Sequence, residues 1–351
     1  MAAADGGAGF RLSVLNPVGR DPEQNFHEIA EPDARAHAPV NFHAYAACTG
    51  GSFFRETARA MAAKNPVLLL LRGDFRESER ALTKLKKAGV PVAVSLKETG
   101  LHQIAEQLGS PARLQRFLRI VAETDGCIAP TAEAADIFRS VCERETQVAF
   151  IPTPYPTHDP RWDFSRPIDE RRGIFIGTRE WDIASRGHCA ALLAARRMSD
   201  ETGERITVFN LDGWKEDRLL AEIGFPSERT EVLKCELPYA DYLRVVSRHK
   251  IVFQLDTSFV PGQVAGDALL CRLPCVGGNG TIDRLAFPAL CGFNRPASEL
   301  AGIATNLLRD GAAYGEAIEA SQRRAAEHLS FTRIAENLET FCAAMVKDHP
   351  R

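Results

Sequence analysis

Two arginines seven residues apart, Arg179 and Arg186, sit in GIFIGTREWDIASRGHCAALLAA (173–195). There an apolar run ends at Gly177, a polar loop follows, and the spacing predicts a helix from about Arg186-Gly187. Backbone N–H groups at such a junction favour an anion, and guanidinium forks match phosphate oxygens bidentately. A solvated loop is the plain alternative, and the strand-end position favours a ligand. The stretch KIVFQLDTSFVPGQVAGDALLCRLPCVGGNGTIDRL (250–285) contains two more strand ends. Asp256, Ser258 and Gly262 follow the first, with Asp267 on the next helix, expected to start after Gly266 and to point its carboxylate into the interdomain cleft. The second opens into Gly277-Gly278-Asn279-Gly280, where backbone amides could approach a phosphate or simply make a tight turn.

The first half offers Lys97-Glu98-Thr99-Gly100-Leu101-His102. If Glu98 opens a helix, Glu98 and His102 share a face, as an acid-base pair or as ligands of sugar hydroxyls. Equally, Glu98 is a first-turn dipole partner and His102 an exposed helix residue. Arg72-Gly73-Asp74 closes another run, and His43 within VNFHAYA reads as a structural residue of a strand.

The elements that must position these groups are short apolar runs alternating with amphipathic ones. FRLSVLN (10–16), VNFHAYA (40–46), PVLLLL (66–71), PVAVSL (91–96), DGCIAP (125–130) and QVAFIP (147–152) are too short for stable helices and read as strands buried on both faces. Residues 152–172 carry five prolines and no periodicity, the pattern of a linker. The alternation then restarts with GIFIG, RITVFNL, TEVLK, KIVFQL and LPCVGG, and a helical tail runs from about Thr305 to Val346 with a break near Ser330. Two βα-repeating halves imply two doubly wound parallel sheets, whose ligands bind beyond the carboxyl ends of the strands.

Composition narrows the classes. A formal net charge of −3 gives no global reason for nucleic-acid binding, and 45% hydrophobic with 25% charged residues is the balance of a folded cytoplasmic protein. Nine scattered cysteines without a CxxC pair read as buried small residues rather than a zinc set. The beginning of the chain lacks a basic-then-apolar signal, so residues 1–9 are expected to be a disordered leader. The aliphatic run Val67–Leu71 is far below the roughly 20 residues of a membrane helix. RLQRFLRIV (113–121) is a basic amphipathic helix, either an ordinary surface helix or a peripheral membrane contact. Alanine- and arginine-rich usage suggests a bacterial source.

The order of strand, glycine loop and Arg-Gly, then VFQLD…G…GDALLCRLPCVGG, then a helical tail with LLRD and HLSFTRIAENLETF, resembles the C-terminal domain of GT-B glycosyltransferases. The likeness is to the sucrose- and glycogen-synthase-like retaining enzymes of family 4 (group 1), and covers roughly residues 125–343. It implies an α/β protein of two Rossmann-like domains facing a cleft: 10–155 on the acceptor side, a linker at 156–172, and 173–330 binding a nucleotide-sugar. The helix 331–351 would pack back on the first domain. Gly177 falls on the family's loop glycine, Arg179 one place past its arginine, and Arg186-Gly187 on its Lys-Gly. These arginines would hold the diphosphate. Asp267-Ala268-Leu269 falls on Glu-Ala-Met, with the carboxylate on the donor ribose, and Gly262 on the internal glycine. Asp256 joins the donor set, and Pro238-Tyr239 would edge the base. The family's first glutamate, a donor-sugar contact, is replaced by Phe259.

Gly50-Gly51, read as preceding a helix over 52–63, would approach the donor phosphates; the loop Asn16-Pro17-Val18-Gly19-Arg20-Asp21 is the competing candidate. Catalysis would fall to Glu98, His102, Arg179 and Arg186. No DxD motif is present, so the expectation is metal-independent transfer without a cofactor, from a nucleotide-sugar to an unidentified glycan, lipid-linked or protein acceptor. No nucleic-acid partner is expected, and the location is cytoplasmic, including the inner face of the membrane. A nucleotide-sugar epimerase of the same fold and a degenerate binding or scaffold protein are the alternatives.

Overall fold

The computed structural model describes residues 9–28, 31–32, 36–144 and 147–347. The expected leader lies, but for its last residue, outside them. The chain forms two compact units. One is built from the stretch up to Pro154 together with Phe331 onward, the other from Tyr155–Ser330.

In chain order the first unit contains β1 (Ser13–Leu15), β2 (Gln24–Asn25), α1 (Asn41–Ala47), β3 (Ser52–Phe54), α2 (Thr57–Ala62), β4 (Val67–Leu71) and α3 (Arg76–Lys87). It continues with β5 (Val92–Leu96), α4 (Leu101–Leu108), α5 (Pro111–Glu123), β6 (Gly126–Ala129), α6 (Ala132–Arg139) and β7 (Val148–Phe150). Its sheet runs β2-β3-β1-β4-β5-β6-β7, with only β2 antiparallel. Val67, Leu69 and Leu71 of β4 enter the core on one face, while Leu68 and Leu70 enter the core on the other. This period of two explains why the strand is apolar at every position.

The second unit holds β8 (Ile174–Ile176), α7 (His188–Thr202), β9 (Ile206–Phe209), α8 (Trp214–Ile223), β10 (Thr230–Leu233), α9 (Tyr239–Val246) and β11 (Ile251–Phe253). Then come α10 (Gln263–Leu270), β12 (Cys275–Val276), α11 (Thr281–Ala286), α12 (Ala297–Arg309) and α13 (Gly311–His328). Its sheet is wholly parallel in the order β10-β9-β8-β11-β12. The last helix, α14 (Phe331–Lys347), belongs to the first unit, where Ile334, Leu338, Cys342 and Met345 join the core with Val14 and Tyr45.

Several sequence expectations need correction. Residues 41–47 form helix α1, not a strand. Phe42 through Ala47 are all buried, and a helix buried on every side has no periodicity to distinguish it from a buried strand. His43 therefore sits on a helix, stacked between His37 and Phe53 at centroid distances of 3.8 and 3.7 Å, with Nε2 2.8 Å from the Pro22 carbonyl oxygen. Burial, with the neighbouring His37, holds it down at about 4, so it is a neutral packing residue.

The stretch expected as a linker packs into the second unit. Trp162 and Arg171 are buried, and the Arg171 guanidinium donates to the carbonyls of Arg166 and Arg272 and to the Tyr314 hydroxyl. The helical tail has a second break, at Asp310, whose carboxylate caps α13. On α5, Arg116 and Arg119 both pair with Glu79 of α3, and Phe117, Ile120 and Val121 are buried, the arrangement of an ordinary surface helix. Among the described residues no helix is long and apolar enough to cross a membrane.

Candidate functional site at the second switch point

In the order β10-β9-β8-β11-β12 the chain winds outward from β8 in one direction and from β11 in the other. The two loops leaving the carboxyl ends of β8 and β11 therefore diverge and leave a crevice between them, the general ligand position in open parallel sheets. Arg186 is in the first loop and Asp256 in the second, and Arg186 Nη1 donates to Asp256 Oδ2 at 2.5 Å across that point. Nη1 also lies 3.3 Å from the Ser258 hydroxyl. Asp256 Oδ1 accepts from the backbone N–H of Ser258 at 2.8 Å and from its hydroxyl. Arg186 Nε is buried without a hydrogen-bond partner, with the Glu180 carboxylate 3.8 Å away. A buried guanidinium N–H without an acceptor is costly, and an anion entering this crevice would satisfy it.

The loop carrying Arg186 is fixed from both sides. Gly187 has φ +60° and a Cβ there would lie 2.3 Å from the Leu255 carbonyl oxygen, so only glycine lets the two loops approach this closely. Thr257 N–H donates to the Ser185 carbonyl at 2.7 Å. Beneath the loop, His188 at the start of α7 lies fully buried between Thr178 and Glu216, with Nδ1 3.0 Å from Thr178 Oγ1 and Nε2 2.8 Å from Glu216 Oε1. With the N–H on Nε2 the ring donates to Glu216, and its Nδ1 accepts from the Thr178 hydroxyl. Thr178 adjoins Arg179, so this chain anchors the loop at its first residue. Arg179 itself is exposed.

Asp267 is placed differently from expectation. α10 begins at Gln263, not after Gly266, so Asp267 lies in its second turn and is 2% exposed. Tyr239 Oη donates to Asp267 Oδ1 at 2.5 Å, the Tyr242 hydroxyl lies against the carboxyl, and Tyr155, whose Oη donates to the Gln263 carbonyl at 3.2 Å, lies nearby. Burial pushes Asp267 up to about 7 against the pull of these three hydroxyls and of Arg179. The carboxylate is enclosed rather than directed outward, and it does not offer itself to a ribose.

Asp283, which the sequence reading passed over, is a second enclosed carboxyl. It is pushed up to about 7 by burial and by the nearby Asp256. Its oxygens occupy the space that a Cβ at Gly262, Gly278 or Gly280 would need, at 2.9, 2.3 and 2.8 Å. The glycine-rich turn at 277–280 and Gly262 thus have a packing reason, as does Gly177, whose Cβ would meet Val264 at 2.5 Å. Pro238 is exposed at the start of α9, while the Tyr239 ring turns inward to Asp267.

The first unit has its own switch point, between β1 and β4. The loop Asn16–Asp21 lies there, tied by Asn16 Nδ2 to Asp21 (2.7 Å), by Lys97 to Asp21 (3.2 Å) and by Arg72 Nη1 to the Val18 carbonyl (3.2 Å). Gly50-Gly51 do not reach it. They connect α1 to the amino end of β3, which runs parallel to β1, so they sit at the opposite edge of the sheet from the strand carboxyl ends. The pair precedes a strand, not a helix, and lies away from the strand ends where a phosphate loop belongs. Glu98 and His102 are at the carboxyl end of β5, but α4 starts only at Leu101, so Glu98 is a loop residue and the shared helical face does not exist. His102 is exposed in the first turn. Among the described residues no group of three or more His, Cys, Asp or Glu side chains is placed to hold a metal ion.

Two largely parallel sheets, each with a switch point, and a guanidinium bridging one of them define a doubly wound α/β protein with a crevice lined by a charged pair. No protein-family model matches the sequence, and no curated protein matches it. Solved structures do. Anabaena Alr3699/HepE in complex with UDP superposes with a TM-score of 0.64 at 13% identity, covering 95% of this chain and 100% of that one. The same protein with UDP-glucose gives 0.62 at 13%, over 95% and 99%. A trehalose-6-phosphate synthase, solved in a study of glycosyl transfer with retention, gives 0.60 at 11%, over 83% and 78%. A Listeria monocytogenes structure described as a UDP-N-acetylglucosamine 2-epimerase gives 0.51 at 14%, over 85% and 81%. The chain has the GT-B fold.

Proposed function

We propose that this chain is a glycosyltransferase that takes its sugar from a nucleotide-activated donor held by the second unit. The observation that carries the reading is the Arg186–Asp256 pair across the β8/β11 switch point, with an unsatisfied Arg186 Nε beside it. Arg186 and Arg179 hold the diphosphate and stabilise its charge as the glycosyl bond breaks, while Asp256 and Ser258 position Arg186. Preorganised cationic and N–H groups of this kind do the work that a metal does elsewhere, each contributing about 10²–10³ in rate. The base lies along the backbone at Pro238-Tyr239, and Glu98 and His102 are the candidate acid-base or acceptor contacts of the first unit. That HepE was solved with UDP and with UDP-glucose supports a nucleotide-sugar as ligand. The reading places the enzyme in the cytoplasm, with a glycan, lipid-linked or protein acceptor.

The test is incubation with a panel of nucleotide-sugars in chelator, following nucleotide release with and without candidate acceptors and analysing the sugar product. Acceptor-dependent release supports transfer. An epimerised donor without release identifies the second reading, which the likeness to the epimerase structure favours. Binding without turnover identifies a degenerate scaffold, and a strict divalent-metal requirement breaks the metal-independent part.

A further inference from the structure

Immediately after the Asp256–Ser258 anchor comes Phe259, with φ +54°. A bulky non-glycine residue in the left-handed region is strained, at a cost of about 1–2 kcal/mol, and such strain persists where surrounding structure imposes it. Here the imposed geometry is visible: Phe259 N–H donates to Asn279 Oδ1 at 3.1 Å, which locks the turn. The ring that results stands edge-to-face with Phe293, centroids 6.3 Å apart at 83°. The Arg284 guanidinium lies over both rings, 5.7 Å from Phe259 and 5.4 Å from Phe293. Phe293 is 42% exposed and Phe259 half-buried, so the cluster presents aromatic surface to solvent.

We infer that Phe259, Phe293 and Arg284 form the floor on which the glycosyl group of the donor lies, and that this group is recognised through its C–H face rather than through its hydroxyls. The inference rests on the donor reading above. A glycosyl group is attached directly to the diphosphate, and the residue next to the diphosphate anchor on the β12 side is Phe259. The opposite side, towards β9 and β10, leads to Pro238 and Tyr239, where the base is placed. A phenyl ring accepts no strong hydrogen bond, so the two rings do not read a hydroxyl. It rewards a pyranose that lays an apolar face on it, and the guanidinium over both rings holds them in place. The ligand class is therefore a nucleotide-activated hexopyranose with one face of ring C–H groups.

The experiment titrates uridine, guanosine, thymidine and adenosine diphosphates, and the matching diphospho-glucoses, into the wild-type protein and into Phe293→Ala and Phe259→Asn. Asparagine tolerates the left-handed backbone, so the second substitution removes the ring without adding strain. Circular dichroism melts confirm that each variant is folded, and the exposed Phe293→Ala stands as the test if Phe259→Asn is not. For the nucleotide that binds, each variant is expected to lose about three- to tenfold in affinity for the nucleotide-glucose, with diphosphate affinity unchanged. Equal losses for both ligands, or none for either, would overturn the aromatic floor and leave the donor reading standing. Absence of binding by every diphosphate to the wild type would overturn the donor reading itself, and this inference with it.

Discussion

The two switch points use the same topology and opposite building styles. At β8/β11 the ion pair is largely withdrawn from water, with Asp256 8% and Arg186 20% exposed, and the loop below it rests on a His188–Glu216 pair with no exposure at all. At β1/β4 the ties run through Lys97 at 23% and Asp21 at 35%, and end at Val18, which is 69% exposed with φ +50°. Charges shielded from solvent hold a fixed geometry, whereas half-exposed ones are screened and adjust cheaply. The first suits an invariant ligand group such as a diphosphate. The second suits a partner whose shape the loop must follow, as the proposed acceptor side would require.

The comparison breaks most readily at its foundation. His188→Ala leaves the Glu216 carboxylate buried without its partner, and should destabilise the second unit by about 3 kcal/mol or more. The matching change in the first unit, Lys97→Ala, should cost under about 1 kcal/mol. Denaturant unfolding monitored on both variants checks this, and equal losses would erase the contrast.

A pH series sharpens it further. The Asp267 carboxyl is raised to about 7 in the folded protein from an ordinary 3.8. The folded state thus binds more protons between about pH 4 and 7, and this group's contribution to stability is present at low pH and lost as pH rises through that window. The stability of wild type relative to Asp267→Asn should fall by on the order of a few kcal/mol from pH 4 to 7. A pH-independent difference would mean that Asp267 is not enclosed as described.

Arg186→Ala should weaken nucleoside diphosphate binding by tenfold or more, as one charge-assisted phosphate bond is worth about 1.5–3 kcal/mol. Nucleoside binding should hardly change, and calorimetry on both ligands separates a phosphate contact from a structural one. The smallest effect concerns glycines. Gly50→Ala, at φ +60° with no atom nearer than 3.9 Å, should cost about 1 kcal/mol of stability and leave diphosphate affinity as it was. Gly187→Ala, which clashes with Leu255, should lower both. Loss of diphosphate binding in Gly50→Ala would place the phosphate at this loop instead.

The alternation of strands and helices was legible because each strand is buried on both faces, so Val67–Leu71 could hardly be anything else. Residues 41–47 misled for the same reason, and that one substitution of strand for helix carried Gly50-Gly51 to the wrong edge of the sheet. Arg186 was found from its strand-end position, whereas its pairing with Asp256, seventy positions away, depends on a sheet order that no local pattern encodes. His188 and Glu216 gave no signal beyond a histidine opening a helix and an acid in the first turn of another. Asp267 shows the limit of motif matching: the residue type stood in the right place, but the three tyrosines that enclose it come from two other segments, Tyr155 from one and Tyr239 and Tyr242 from α9. Phe259 was visible as a departure, and only the backbone revealed that the departure is held under strain.

Tyr155 and Ser330, the first and last residues of the second unit's main stretch, form a parallel bridge, and Tyr155 N–H donates to the Leu329 carbonyl at 2.8 Å. The chain leaves the second unit where it enters it. For the first unit, everything from Tyr155 to Ser330 is therefore a closed excursion that delivers α14 to its core with the ends already together. Were the second unit to melt alone, α14 would dangle on a loose loop of that length. Closing such a loop costs on the order of 4–5 kcal/mol of chain entropy. A ligand that holds the second unit folded thereby also lends cohesion to residues it never touches.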